Sequence, residues 1–394
     1  MVRGLAVLAE FGIYIAIFGY IFSTALLQIG VYLAVVSWMI MRLVLKENPI
    51  PTTPVCRSIL LILAILLISV LTNSFYSEGL QGLHKWLRGV LLFGVAYQLF
   101  QSEKFERKVI FCFLLTYVVA CADGLWQYQF GRDILRNYPI GYADTVKRVT
   151  SSFGYFGMFA SYLLMVTPIC AIAINQMKNK RVQVISFVFV FGIGLLNLFL
   201  TRTRGAWLSA IAMIVLYLLT RKKVKMILLV LIIFGFFILL LPKDLIFHSR
   251  EASGIDKTTN HRIHLWTEAL NIIKARPVFG SGLNAYVKNI EKYNPPHEGE
   301  VRNYYAHNGY LQHTAETGLV GLVALIGLIF QSLRVALRKT TIWSIPFDKM
   351  MLLISISGFL FYMFFDTIFH NMQPFILFWL LLGWVLAPKK HLQA

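Results

Sequence analysis

Apolar runs broken by short charged turns set the rhythm of the chain. Residues 59–70, 109–119, 226–241 and 318–330 contain no charged side chain at all. Several such runs extend to the roughly 20 residues that a helix needs to cross about 30 Å of hydrocarbon. The pattern predicts spans at 5–22, 24–41, 58–73, 86–100, 109–127, 151–174, 183–200, 205–220, 225–241, 317–335, 350–369 and 372–387. The expected fold is therefore an all-α polytopic membrane protein of about 12 transmembrane helices. Nine of them fill residues 1–241, a polar loop domain occupies 242–316, and the last three helices and a tail make up 317–394.

Composition agrees with lipid as the main solvent. The 394 residues are 58% hydrophobic and only 14% charged, against roughly 25% charged in soluble domains. The formal charge of +19 would suggest nucleic acid in a soluble chain. Sorted by side, it reads differently. Twelve crossings put both termini on one side, where the short loops and ends hold 20 basic residues, among them Arg42, Lys104, Lys180, Arg221 and Lys349, against four acidic ones. That is the positive-inside pattern, so the termini are expected in the cytoplasm and no nucleic-acid partner is needed. The first apolar run lacks a small-residue cleavage signature and reads as a retained helix. Cys56, Cys112, Cys121 and Cys170 fall in or near the spans, so no disulfide is expected in the polar loop.

On the outer side two longer loops are expected, 128–150 and 242–316. In the larger, 261–274 places Ile263, Leu265, Trp266, Ala269, Leu270 and Ile273 at amphipathic spacing, and Pro277, Gly280 and Gly282 end that helix before a second short one at 284–291. Loops of this length with internal structure usually carry function. Eight of the nine histidines fall on or near this face: His84, His248, His261, His264, His297, His307, His313 and His370. Their spacing fits no metal signature: no HExxH accompanies the pair at 261 and 264, and cysteine ligands are absent. No metal is expected.

Candidate chemistry gathers at three places. Thr201-Arg202-Thr203-Arg204-Gly205-Ala206-Trp207 sits where one helix reaches the outer surface and the next returns. Its arginines break the positive-inside trend; they are either snorkelling groups on lipid phosphates or a fork for an anionic substrate group. Arg262 opens the amphipathic loop helix. Tyr304-Tyr305-Ala306-His307-Asn308-Gly309-Tyr310 precedes the next span and leads to Glu316-Thr317-Gly318. An imidazole at that depth suits a general base.

These residues resemble the O-antigen ligase / O-antigen polymerase superfamily of GT-C-type membrane glycosyltransferases. The likeness rests on Thr203-Arg204-Gly205-Ala206-Trp207, on Arg262, Trp266, Pro277, Gly280 and Gly282, and on Ala306-His307-Asn308 followed by Glu316 and Gly318, in that order. Thr203 stands where the family often has Ser. The resemblance implies a glycan donor on undecaprenyl diphosphate and transfer to a sugar of lipid A-core at the periplasmic face of a bacterial inner membrane. It also implies inversion of the linkage and no cofactor or essential metal. By position, Arg204 and Arg262 match the family arginines that engage the diphosphate, and His307 matches the catalytic base. Arg202, His264, His313 and Glu316 are further substrate-binding candidates, with Glu316 either orienting His307 or capping a helix. Asp123 and Asp366, at outer helix ends, rank below them.

A polymerase joining lipid-linked repeat units shares these motifs, and a protein O-glycosyltransferase is a further alternative. A transporter or flippase belongs to a different class. It would show related halves and polar groups near the midplane, whereas here the polar groups collect at the outer end and midmembrane charge is nearly absent apart from Glu10, near the inner end of the first helix. Membrane lipids are expected partners, and the oligomeric state is left open.

Overall fold

Capping side chains decide where several of the helices begin. The computed structural model describes the chain outside residues 49–50, 52, 144–145, 241–256, 294–304, 339 and 389–394. His248, His297, Tyr304, Lys389, Lys390, His391 and the opening stretch 242–256 of the expected loop lie outside the described residues. Ser23 accepts from Leu26 N at 3.4 Å and so turns the chain within one residue from α1 (Val2–Phe22) into α2 (Thr24–Val44). Ser102 starts α5 (Glu103–Phe130) and Asn179 starts α7 (Lys180–Leu200) in the same way. Between them come α3 (Val55–Leu71), α4 (Tyr76–Leu99) and α6 (Phe156–Asn175). Then follow α8 (Arg204–Thr220), α9 (Val224–Leu240) and two loop helices, α10 (Lys257–Ala275) and α11 (Tyr286–Tyr293). The chain closes with α12 (Gly309–Ala336), α13 (Phe347–Tyr362) and α14 (Met372–Leu386).

A helix thus falls on each expected span. Among the described residues six helices, α1, α2, α5, α6, α7 and α12, are long and apolar enough to cross a membrane. At the bundle centre, every residue of α14 from Gln373 to Leu386 is buried. By contrast α7 and α9 turn Ile185, Val188, Leu195, Ile232 and Phe236 outward. Such apolar outer faces have their natural solvent in hydrocarbon, where helices satisfy their own backbone groups.

Four departures from the sequence reading matter for the site. Helix α4 starts at Tyr76, ten residues before the expected 86, and so includes Lys85. The 128–150 loop folds into a hairpin of β1 (Gly141–Ala143) and β2 (Val146–Arg148). Helix α13 stops at Tyr362 rather than 369, and 363–371 becomes a turn containing a short 3-10 segment, Ile368–His370.

The fourth departure is α12, which begins at Gly309 rather than 317 and is broken at Gly318, where φ is 73°. There a Cβ would collide with the Val278 carbonyl, so only glycine fits. The backbone groups freed by the break are taken up from outside the helix. Leu319 N donates to Pro277 O at 2.8 Å, and Ser281 N and Gly282 N donate to Ala315 O and Glu316 O at 2.9 and 3.0 Å. Ser69 Oγ in α3 also donates to Glu316 O at 2.9 Å. In this way the loop segment 277–284 is sewn to a helix of the bundle, and α10 and α11 are fixed over its outer end.

Candidate active site

His307 sits just before α12, with Asn308 as the cap: its side chain accepts from Tyr310 N and Leu311 N, both at 3.1 Å. His307 itself has φ of 46°, a left-handed conformation that a non-glycine residue adopts only when its surroundings hold it. Gly309 N donates to Met363 O at 2.7 Å and Tyr310 Oη to Leu360 O at 2.9 Å, tying this corner to the end of α13. The turn after α13 then brings Asp366 under the imidazole, with Nδ1 and Oδ1 3.3 Å apart.

Asp366 is buried and fully engaged. Tyr155 Oη and Tyr362 Oη donate to Oδ2 at 2.9 and 3.2 Å, and Thr367 N donates to Oδ1 at 2.8 Å. Burial alone would raise its pKa. The hydrogen bond and charge of His307 and the donors around it outweigh that and hold the carboxyl below its usual range, so it is ionised at neutral pH. With Nδ1–H given to this carboxylate, the basic lone pair of the ring lies on Nε2.

Three arginines belong to the elements that meet the pair. Arg204 is the first residue of α8, where the helix N-terminus already carries positive potential. Gly205 packs against Phe365, where a Cβ would collide with the ring, so the start of α8 lies against the residue preceding Asp366. Arg262, on α10, lies near enough for its charge to act on Arg148 and Tyr155.

Arg148, at the end of β2, was not singled out from sequence. Its Nε donates to Thr201 O at 3.1 Å and Nη2 to Arg202 O at 3.4 Å, and its guanidinium lies 3.3 Å over the Phe156 ring. Burial lowers its pKa to about 10, which leaves it charged at neutral pH. Only its place beside the Thr201–Arg204 turn distinguishes it from an ordinary loop arginine. That is a tertiary fact with no local sequence signal. The hydrogen bonds from Arg148 fix the backbone of the turn that presents Arg204.

The remaining candidates fall elsewhere. Arg202 lays its guanidinium 4.3 Å over Phe199, and its carbonyl supports Arg148. His264 faces Glu268 one helical turn away at 3.4 Å and is exposed. His313 and Glu316 are buried in α12 and line a separate cleft with Lys85, Gln312, Asn284 and His370. Glu316 meets Asn284 N at 3.0 Å and Gln312 Nε2 at 3.3 Å, while Asp366 occupies the position beside His307. Asp123 caps backbone groups of the second outer loop, accepting from Ile134 N and Ser151 Oγ at 2.8 and 2.7 Å. Among the described residues no three His, Cys, Asp or Glu side chains stand together in a way that could hold a metal.

Residues 187–326 match the model of a family described as O-antigen ligase. No curated protein matches the chain. The matched stretch runs from α7 into α12 and includes Arg204, Arg262 and His307, but neither Arg148 nor Asp366. The matched segment, which carries Arg204, Arg262 and His307, is similar to an O-antigen ligase domain, and that similarity supports the O-antigen ligase superfamily.

Proposed function

We propose that the protein transfers a glycan from undecaprenyl diphosphate to a sugar hydroxyl of lipid A-core at the periplasmic face of a bacterial inner membrane. The observation that carries this reading is the His307–Asp366 pair, with Arg148 and Arg262 acting electrostatically on its surroundings and Arg204 opening the helix that packs on the adjoining Phe365. In the reaction, the acceptor oxygen attacks the anomeric carbon while its proton passes to His307 Nε2. The bond from that carbon to the phosphate oxygen breaks, and the diphosphate leaves with the bonding pair. A single displacement of this kind inverts the linkage. Negative charge develops on the leaving diphosphate, and guanidiniums already in place stabilise it without reorganising. Their planar donor forks match phosphate oxygens. Asp366 holds the ring and balances the imidazolium as it forms.

The charge distribution supports the sides assigned here. At the end of the bundle opposite the site, Arg221 donates to Ile345 O at 3.4 Å and Lys222 lies 5.1 Å from the Trp343 ring. These basic turns belong to the cytoplasmic side under the positive-inside rule, which leaves the His307 corner facing outward.

The test is transfer by purified full-length protein in detergent, with undecaprenyl-diphosphate glycan as donor and lipid A-core as acceptor. Product on lipid A-core that disappears in His307→Ala is the expected result. Lengthened lipid-linked glycan without core product makes the protein a polymerase instead. Modification of neither acceptor removes the transferase reading.

A further inference from the structure

We propose that the cleft between α4, α12 and the 367–370 turn is the acceptor-sugar subsite, taking a hydroxymethyl or neighbouring-hydroxyl edge of an uncharged sugar. This rests on the transferase reading above and extends it to the second substrate. The cleft is lined by Lys85 and Trp86 of α4, by Gln312, His313 and Glu316 of α12, and by Thr367 and His370 of the turn.

Position comes first. The turn 363–371 has two sides. Phe365 and Asp366 meet α8, Tyr155 and His307, where the arginines gather. Thr367, Phe369 and His370 line the cleft on the other side. The cleft also includes Gly309, two residues after His307, and the His370 ring packs 4.6 Å from that of Tyr305, two residues before it. A sugar held in the cleft therefore lies across His307 from the groups suited to a diphosphate, which is where an attacking hydroxyl has to be.

Chemistry narrows the ligand. Lys85 Nζ donates to the Phe369 and His370 carbonyls at 3.0 and 2.6 Å and lies near enough to Glu316 for the two charges to interact. Burial, with Lys85 acting in the same direction, takes His370 down to about 3, so its ring is neutral at physiological pH. The lining itself holds one cation and one carboxyl, and Arg88 behind Lys85 is turned to Gln28, Tyr32 and Met372, so neither a phosphate nor an amine has a strong reason to prefer the cleft. A sugar hydroxyl both donates and accepts, and it fits a wall that mixes donors with acceptors. Gln312 is only 3% exposed, and its Oε1 has no hydrogen-bond partner among the described residues. A buried acceptor left unpaired is costly, and a ligand O–H relieves that cost.

Size agrees. The interior is about 40 Å³, room for two or three water-sized groups. One C–O arm of a sugar enters, and the ring stays at the mouth.

The experiment uses full-length protein in detergent and the isosteric Gln312→Met variant beside Arg204→Ala, with thermal unfolding to show that each is folded. In steady-state transfer, Gln312→Met is expected to raise the KM for lipid A-core about tenfold, the loss of about one good hydrogen bond, and to leave the donor KM unchanged. Arg204→Ala is expected to do the reverse. An unchanged acceptor KM in Gln312→Met, or a raised donor KM, overturns the subsite. Calorimetric titration with deacylated core oligosaccharide and with released O-glycan repeat keeps the two readings apart. If wild-type protein transfers to no acceptor, the transferase reading fails. The cleft still stands as a glycan site if wild type binds either oligosaccharide and Gln312→Met binds it about tenfold more weakly, and it falls if neither oligosaccharide binds.

Discussion

The two sides of the turn after α13 differ in how their charges are matched. On the α8 side, Arg148 and Arg262 act on one another and on the surroundings of a single carboxylate, Asp366, and Arg204 opens the adjoining helix. On the α4 side, Lys85 faces Glu316 and two carbonyls, one cation against one carboxyl. In the first arrangement, like charges gathered at a half-buried corner repel, and an anion arriving there relieves that repulsion. The second is complete without help and has hydrogen-bonding capacity to spare. On the proposed reading, one end of the bundle holds a place for an anion and a place for a neutral polyol, with His307 between them. This is the layout expected of an enzyme that joins a diphosphate donor to a sugar acceptor.

The sharpest way to break the comparison is to remove what stands between the halves. His307→Ala is expected to lower the transfer rate by about 10³-fold, within the range for loss of a general base, with the KM of both substrates nearly unchanged. A loss confined to one KM would assign His307 to one half. Next in size are Arg204→Ala and Arg262→Ala, each expected to cost about 10²-fold in kcat/KM for the donor. Lysine at either position is expected to recover little of this, because a point charge cannot replace the bidentate fork. Full recovery by lysine would reduce the arginine side to bulk electrostatics.

Asp366→Asn comes third. It keeps the shape and removes the charge, so kcat is expected to fall by about 30-fold with the donor KM unchanged, since Asp366 acts through His307. Stability gives an independent readout. The folded carboxyl lies below its ordinary range, so its contribution is fully present above the unfolded value of about 3.9 and is lost as pH falls through the folded value. Thermal unfolding of the wild type should weaken over that acidic interval, and that of Asp366→Asn should be flatter. Parallel curves would show that Asp366 is not the anchor of this corner.

Much of this was legible from the chain. The twelve apolar segments are helical because residues of that kind, in runs of that length, have no other way to satisfy their backbone in lipid. Thr203-Arg204-Gly205 and His307-Asn308 could be read because a charged or capping residue at a helix end keeps its local meaning. What escaped was set by tertiary contact. Met363, Phe364, Phe365, Ile368 and Phe369 are as apolar as a helix interior, so hydropathy carried the span to 369 and concealed the turn. Asp366 lies 59 residues from the histidine it meets, and its one sequence signal, a carboxylate inside an apolar stretch, was shared with Asp123, which caps a loop. Glu316, Gly280, Gly282 and Gly318 travel with the motif that carries His307. In the structure they build the seam between loop and bundle, so membership of a motif does not by itself separate chemistry from architecture.

Arg148 tests how far the arginine side extends. Its Nε and Nη2 are used on the carbonyls of Thr201 and Arg202, so it positions the Arg204 turn whether or not it also reaches the diphosphate. Arg148→Ala is expected to raise the donor KM about tenfold, less than Arg204→Ala, and to leave the acceptor KM alone. An effect on kcat alone would place Arg148 with the transition state instead.

The smallest effect discriminates best, because it needs no mutation. Raising ionic strength from 0.05 to 0.5 M shortens the Debye length from above 10 Å to below 8 Å. Attraction of a dianionic diphosphate towards several guanidiniums weakens as that length shrinks, so the donor KM is expected to rise about threefold. The acceptor edge meets a balanced pair and a buried amide, neither of which attracts a neutral sugar at long range, and its KM is expected to stay constant. Micelle properties also change with salt, but they shift both lipid substrates together, so the ratio of the two KM values is the quantity to follow. A constant ratio would mean that the two sides of the turn do not divide donor from acceptor as their charges indicate, and the Lys85 cleft would lose its claim on the acceptor along with the arginine side's claim on the diphosphate.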